Sequence, residues 1–171
     1  NGATLVLVDR FDPLEALRLI ERERVTHALL VPAVIVSLLH YPGLGQFDTS
    51  SLRVIITGGG PCPEEAIHQA KTRLGCAVIS QYGMSEGPLS TTLLSDPPEV
   101  VSVTVGSPHC EGSEIKIVDE ERRPVASGET GELAFRGPSL FQGYYEEPAY
   151  TAAAFDEEGW FYTGDLCLQD A

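Results

Sequence analysis

The chain has 171 residues, with 25 carboxylates against 11 lysines and arginines and a formal net charge of −14. That balance argues against a nucleic-acid or anionic-membrane surface, which needs clustered Lys and Arg, and leaves a small molecule as the expected partner. The length suits one domain with a real core, or two small subdomains sharing a cleft.

Cys62, Cys76, Cys110 and Cys167 lie far apart, with no Cys-x-x-Cys pair and no histidine spacing suited to zinc. Reduced thiols in a cytoplasmic protein without a structural metal are therefore expected. The longest apolar stretch, Ala28 to Leu39, contains Pro32 and falls short of the roughly 20 residues that a membrane-spanning helix needs. No secretory signal pattern is visible. Asn1 stands in place of a Met, the strand-like run Thr4 to Val8 follows almost at once, and the chain stops in another strand-like run, Leu166-Cys167-Leu168. A piece of a larger protein is expected.

From residue 4 to about 82 strand-like and helix-like segments alternate. Thr4 to Val8 reads as a strand. Pro13 to Arg24 reads as a helix with Leu14, Leu17 and Ile20 on one face. Strand Ala28 to Val31, helix Pro32 to Leu39, strand Leu52 to Thr57, helix Pro63 to Leu74 and strand Cys76 to Ser80 follow. Continuous apolar strands separated by helices predict a largely parallel sheet covered on both faces. Ligands of such sheets bind beyond the carboxyl ends of the strands. After about residue 88 the pattern changes: Glu114 to Val118 and Gly131 to Arg136 flank a turn-rich connection, Pro148 to Ala154 suits a short helix, and Trp160-Phe161-Tyr162 reads as the next strand. The fold class is α/β, a partial parallel sheet flanked by helices and followed by an antiparallel β-barrel-like subdomain. The expected division is residues 1–100 for the α/β part and 101–171 for the β part.

Two loops sit at predicted strand ends. Gly58-Gly59-Gly60-Pro61 lacks side chains, so a flat ligand can approach its backbone, although a triple glycine is equally at home in a plain strand-to-helix turn. It has neither the spacing of a phosphate-cradling loop nor that of a dinucleotide fingerprint. The second is Ser80-Gln81-Tyr82-Gly83-Met84-Ser85-Glu86-Gly87. Tyr82, in a glycine-flanked turn, is either a core aromatic or a ring that stacks on a base. Ser85 and Glu86 are either a cap and a solvated acid, or a hydroxyl for a phosphate oxygen and a hard carboxylate for Mg²⁺. Gly83-Met84-Ser85-Glu86-Gly87 also matches the Gly-x-Ser-x-Gly elbow of serine hydrolases, with His109 and Asp96 or Glu99 as partners. An elbow needs a helix after the serine, which Pro88 and Thr91-Thr92 oppose. In Gly159-Trp160-Phe161-Tyr162-Thr163-Gly164-Asp165, Asp165 is a turn residue or an acceptor for both ribose hydroxyls.

Taken in order, these segments resemble the adenylate-forming superfamily of acyl-CoA synthetases, aryl-acid AMP ligases and adenylation domains. Leu52 to Pro61 resembles its adenine loop and Gln81 to Glu86 its aromatic-Gly-x-Thr-Glu motif. Gly131-Glu132-Leu133, Arg136-Gly137-Pro138 and Gly143-Tyr144 resemble its Gly-Glu-Leu…Gly-Tyr motif, and Trp160 to Leu166 its Tyr-x-Thr-Gly-Asp motif.

The resemblance implies that Gly58, Gly59, Gly60 and Pro61 line the adenine and that Tyr82 stacks on it, with Gln81, Gly83 and Met84 around the nucleotide. It implies that Ser85 contacts the α-phosphate, Glu86 holds Mg²⁺ and Asp165 holds the ribose. Ser85 replaces the usual Thr, and Gly60 stands where Ala is frequent. Gly87 resembles the aryl-acid and cyclic-acid branch, where a small residue leaves room for a ring. The implied cofactors are ATP or AMP and Mg²⁺, with coenzyme A or carrier-protein phosphopantetheine as acceptor thiol and a hydrophobic or aromatic carboxylic acid as substrate. The phosphate loop and the C-terminal catalytic lysine of that family would lie outside these 171 residues, so the chain alone is expected not to turn over. A degenerate nucleotide-binding module without catalysis is the alternative.

Overall fold

The computed structural model describes residues 2–87, 89–108 and 110–170. The chain divides into two compact units, residues 1–82 with 91–107, and residues 83–90 with 108–171.

The first unit begins with an extended segment rather than a strand. Thr4 to Val8 joins no ladder among the described residues, and Leu5 and Leu7 are about 80% exposed. A continuous apolar run supplies a strand-like pattern, but a strand exists only where a neighbour takes its N–H and C=O groups. Helix α1, Pro13–Glu23, starts where Asp12 accepts from the Glu15 amide at 3.0 Å and Pro13 occupies the first turn. It stops at Arg24, whose φ of 50° ends the helix with a left-handed cap. Strand β1, His27–Leu29, and helix α2, Pro32–Leu39, follow, the latter with the predicted bounds.

Strand β2, Val54–Gly58, then leads into helix α3, Glu64–Gln69, which continues as a π-helical turn over Ala70–Leu74. A single α-helix to Leu74 was expected. The hydroxyl of Thr72 donates to the carbonyl of His68 at 3.0 Å, a side-chain competitor within the widened turn, and Ala70 and Leu74 both remain buried. Gly75, with φ 73°, closes the segment.

Strand β3 spans Ala77–Gly83, starting one residue and ending three residues later than expected, and its ladder with β2 extends to the pair Gly58 and Gln81. The short elements β4 (Leu89–Thr91), α4 (Pro98–Val101) and β5 (Ser107–Pro108) were not anticipated. The sheet order is β1-β2-β3-β4-β5, and β1, β2 and β3 are parallel.

Ile55 and Val78, directly paired, point into one cluster with Leu17 and Ile20 of α1, Ile35, Leu38 and Leu39 of α2, Ile67 of α3 and Val101 of α4. Burying each such side chain fully contributes about 1.5–3 kcal/mol. Side chains alternate across a strand, so Ile56 and Ile79 face the other way; they are only half-buried, and Leu29 is exposed. Among the described residues the helices therefore gather on one face, not on both as the apolar strands suggest.

The second unit is built on an antiparallel sheet, β6 (Glu114–Val118), β7 (Thr130–Arg136) and β8 (Phe161–Leu168), in that order, with helix α5 (Pro148–Ala154) preceding β8. The described strands form an open three-stranded sheet. Phe135 is buried, and Val118, Ala134, Trp160 and Tyr162 cluster.

The turn before β8 hangs on one carboxylate. Asp156 accepts from the amides of Glu158 at 3.0 Å and Trp160 at 2.9 Å and from the Tyr162 hydroxyl at 2.8 Å, with Lys116 at 3.9 Å. Burial opposes its ionisation, but the Trp160 amide, the Tyr162 hydroxyl, the Glu158 amide and Lys116 together hold its carboxyl below its ordinary value. Its contribution to stability is therefore complete above the unfolded carboxylate value, about 3.9, and is lost as pH falls through the lower folded value. Asp156→Ala strands three donors and is expected to cost about 1–3 kcal/mol at pH 7. Denaturant unfolding as a function of pH checks this: the wild-type advantage over the variant shrinks only in acid.

Candidate nucleotide-binding site

In the first unit the glycine end of β2 and Gln81-Tyr82 of β3 are neighbours by ladder register, with Gly58 opposite Gln81. The three glycines differ. A Cβ on Gly58 would fall 2.5 Å from the backbone oxygen of Gln81, so this glycine lets two strands approach. Gly59 has φ 76°, and a Cβ there or on Gly60 would meet nothing within 4 Å. Gly59, Gly60 and Pro61 are exposed and Tyr82 is half-buried, on the same side of β3 as Ser80 and Val78. Open backbone beside a half-buried ring is a shape that accepts a flat heterocycle. Tyr82 is a strand residue, however, and not part of the turn in which the sequence places it.

In the second unit the turn is tighter and lies later, over Met84 to Gly87, closed by the Gly87 amide on the Met84 carbonyl at 3.1 Å. Ser85 is exposed and Glu86 half-buried. β4 follows, so the strand–turn–helix geometry of a hydrolase elbow is absent; His109 lies outside the described residues. Gly87 has φ 118°, and a Cβ there would fall 2.1 Å from the carbonyl oxygen of Ser139. Backbone crowding thus gives this glycine a structural reason of its own.

The Glu86 carbonyl accepts from the Phe141 amide at 2.8 Å, and its carboxylate accepts from the Tyr144 hydroxyl at 3.1 Å. Burial first, and then the Glu86 carboxylate, push the Tyr144 phenol above its ordinary value. A carboxylate offers about four lone-pair positions, so one hydrogen bond to Oε1 leaves acceptor capacity for a cation. A single hard oxygen donor of this kind fits Mg²⁺, which takes one or two protein carboxylates and completes its shell with water and phosphate. Tyr144 belongs to a motif the sequence displays, but its reach to Glu86 spans 58 residues and no spacing rule could reveal it.

Asp165 lies on β8, exposed, where the pairing with β7 slips between Glu132 and Ala134. Gly164 has φ 77° and donates its amide to the Glu132 carboxylate at 2.8 Å; Thr163 donates to the Leu133 carbonyl at 2.9 Å and accepts from the Asp165 amide at 3.1 Å. Such irregularities re-aim a side chain out of a regular strand. The sequence offers Gly164-Asp165 as a turn; here both stay within the strand. Two shallow grooves of about 460 and 560 Å³ flank α5, lined among others by Tyr144, Glu147 and Tyr150. Neither contains a residue that the sequence assigns to the nucleotide. Glu64, His68 and Glu99 bring potential ligand atoms within 4.8 Å of one another, but all three are exposed and the Glu64–His68 contact of 3.6 Å is an ordinary helix-surface pair.

Residues 1–145 match the AMP-binding enzyme family. The chain belongs to that family. It is 40% identical over 169 residues to the 2-hydroxy-7-methoxy-5-methyl-1-naphthoate–CoA ligase of Streptomyces carzinostaticus, covering 96% of this chain and 30% of the relative. It is 39% identical over 170 residues to the medium-chain fatty-acid–CoA ligase of Escherichia coli, covering 99% and 30% respectively. Among solved structures, the amide bond synthetase McbA of Marinactinospora thermotolerans superposes with a TM-score of 0.89 at 33% identity, over 99% of this chain and 34% of that one. The chain thus spans about a third of the length of the proteins it matches. The relatives are AMP-forming acid ligases, and the fold is that of adenylate-forming enzymes. No helix among the described residues is long and apolar enough to cross a membrane.

The glycine geometry makes a graded prediction. Gly87→Ala is expected to destabilise the protein by about 1–3 kcal/mol through backbone strain and overpacking, and Gly58→Ala similarly through the Gln81 carbonyl. Gly60→Ala is expected to stay within about 0.5 kcal/mol of wild type. Thermal and denaturant unfolding of the three variants distinguishes this order from three interchangeable loop glycines.

Proposed function

We propose that these residues form the nucleotide-binding part of a larger ATP-dependent carboxylate ligase. The ligase converts a hydrophobic or aromatic carboxylic acid to an acyl-adenylate and passes the acyl group to a thiol, coenzyme A or a carrier-protein pantetheine. The observation that carries the reading is the open glycine end of β2 beside Tyr82, in a chain of the AMP-binding family. Gly58, Gly59, Gly60 and Pro61 line the adenine, Tyr82 stacks on it, and Gln81, Gly83 and Met84 flank the nucleotide. Ser85 donates to an α-phosphate oxygen and Asp165 accepts from the ribose hydroxyls.

The substrate carboxylate is ionised at neutral pH and needs no general base. One of its oxygens attacks the α-phosphorus, a C–O–P linkage forms, and the bond to the bridging oxygen breaks with pyrophosphate leaving. A thiolate then attacks the acyl carbonyl, the thioester forms and AMP departs. Mg²⁺, held by Glu86, would neutralise charge on the phosphate oxygens. What the chain supplies is alignment and charge compensation rather than proton transfer. The relatives include an aryl and an alkyl acid ligase, which supports an apolar acid without choosing its shape. The amide bond synthetase makes an amine acceptor the alternative to the thiol. The family's phosphate loop and catalytic lysine belong to the remainder of the protein, and the 171 residues alone do not turn over.

Calorimetric titration of the full-length protein with a non-hydrolysable acyl-adenylate mimic tests the reading. Saturable binding is expected. Tyr82→Ala should weaken it by about 1–3 kcal/mol, the value of one base–aromatic stack. Asp165→Ala should weaken it by about 1.5–3 kcal/mol, the range for hydrogen bonds to a charged group. A folded protein that does not bind the mimic would reject the ligase reading.

A further inference from the structure

We propose that Tyr144 and Thr151 are positioning residues for Glu86, a role that rests on the reading of Glu86 as the Mg²⁺ carboxylate. All of the residues involved belong to the second unit.

A glutamate on a short turn has three side-chain torsions, so its carboxylate wanders unless something holds it. Glu86 is held at two points. Its carbonyl accepts from the Phe141 amide, and Oε1 accepts from the Tyr144 hydroxyl. The phenol is itself fixed. The Tyr144 ring packs edge-on against Phe141, with centroids 4.8 Å apart, and Phe141 rests against Phe155 at 5.7 Å and Phe161 at 5.5 Å. One aromatic, Phe141, thus carries both the backbone contact to Glu86 and the ring that supports its carboxylate partner.

The main chain of Tyr144 is pinned as well. Its amide donates to Thr151 Oγ1 at 2.9 Å, and the same hydroxyl donates to the Glu147 carbonyl at 3.1 Å. Thr151 therefore satisfies both of its hydrogen-bonding roles while tying the loop to the first turn of α5. Gly143, at φ 144°, lies so near that a Cβ would fall 2.8 Å from Thr151 Cγ2 and 2.9 Å from Oγ1. The sequence Gly143-Tyr144, with a threonine seven residues on, reads as one device. Glycine admits the threonine, the threonine fixes the tyrosine backbone, and the tyrosine aims the carboxylate. Groups that orient a metal ligand typically change metal affinity by about 10–100-fold when removed.

The test uses the full-length protein with Mn²⁺ as the probe ion and α,β-methylene-ATP as the nucleotide, reading free Mn²⁺ by electron paramagnetic resonance. AMP binding without metal is measured in parallel. Glu86→Gln is expected to remove tight Mn²⁺ binding. Tyr144→Phe and Thr151→Val are each expected to weaken it by about 10-fold, with metal-free AMP affinity retained. Thr151→Ser keeps the hydroxyl and should restore wild-type Mn²⁺ affinity. If Glu86→Gln leaves Mn²⁺ binding intact, the metal role of Glu86 falls and the positioning role falls with it. If Glu86→Gln abolishes binding while Tyr144→Phe and Thr151→Val do not weaken it, the metal reading stands and the positioning role is overturned. Equal losses of Mn²⁺ and metal-free AMP binding in Tyr144→Phe and Thr151→Val would assign these residues a merely structural part and also overturn it.

Discussion

The first unit depends on the parallel ladder between β2 and β3. Its register pairs Ile55 with Val78 in the helix-covered core and, three residues later, Gly58 with Gln81 at the strand ends. A one-residue slip of either strand would turn Ile55 or Val78 toward the half-covered face and shift the glycines relative to Tyr82. The same constraint explains the absence of a side chain at position 58, where the Gln81 carbonyl already occupies the space a Cβ would need. Core packing and the exposed glycine end are thus two ends of one register. Thr92 reinforces it, since its amide donates to the Ser80 carbonyl and its hydroxyl accepts from the Ser80 amide.

Threonine hydroxyls recur as such pins. Thr163 bridges the Leu133 carbonyl and the Asp165 amide where β7 and β8 slip, and Thr151 bridges the Glu147 carbonyl and the Tyr144 amide. In each case a short, stiff side chain with one donor and two acceptor positions ties a backbone irregularity to regular structure. Each irregularity carries a glycine of positive φ, Gly164 beside Thr163 and Gly143 beside Thr151. The pairing lets a chain segment bend sharply and still be rigid, which a side chain that must meet a ligand requires.

Much of this was legible. The face of Leu14, Leu17 and Ile20 marked α1, the run from Pro32 marked α2, and period-two alternation marked β6. These are local signals, and they hold where local chemistry decides. The reading failed where a decision belongs to a distant partner. Thr4 to Val8 is as apolar as the strands of the sheet but joins no ladder among the described residues, whereas Gln81 looks like loop and becomes strand because Gly58 of β2 pairs with it. The crowding that requires a glycine at position 87 comes from Ser139, which no local pattern places beside it. The chemical identities of Tyr82, Ser85, Glu86 and Asp165 were visible in the sequence, but what holds them was not: Tyr144, Thr151, Glu132 and Thr163 act across the fold.

The charge balance ties these strands of argument together. A chain of net charge −14 is a poor host for a polyphosphate unless cations are placed deliberately. The second unit has four cationic side chains, and each is committed. Lys116 lies 4.3 Å and Arg136 4.6 Å from the Trp160 ring centroid, Arg122 lies 4.0 Å from that of Tyr162, and Arg123 pairs with Asp119 and Glu121. Arg136 is further locked by a bidentate pairing with Glu114. Each of these cations thus already has an aromatic or carboxylate partner within the second unit. On the ligase reading, charge compensation around the Ser85–Glu86 turn therefore calls for a metal ion or for cations from outside this unit. A carboxylate held in place, rather than a local lysine or arginine, is then the contribution this turn can make. That is why the aim of Glu86 matters more here than the number of charges around it.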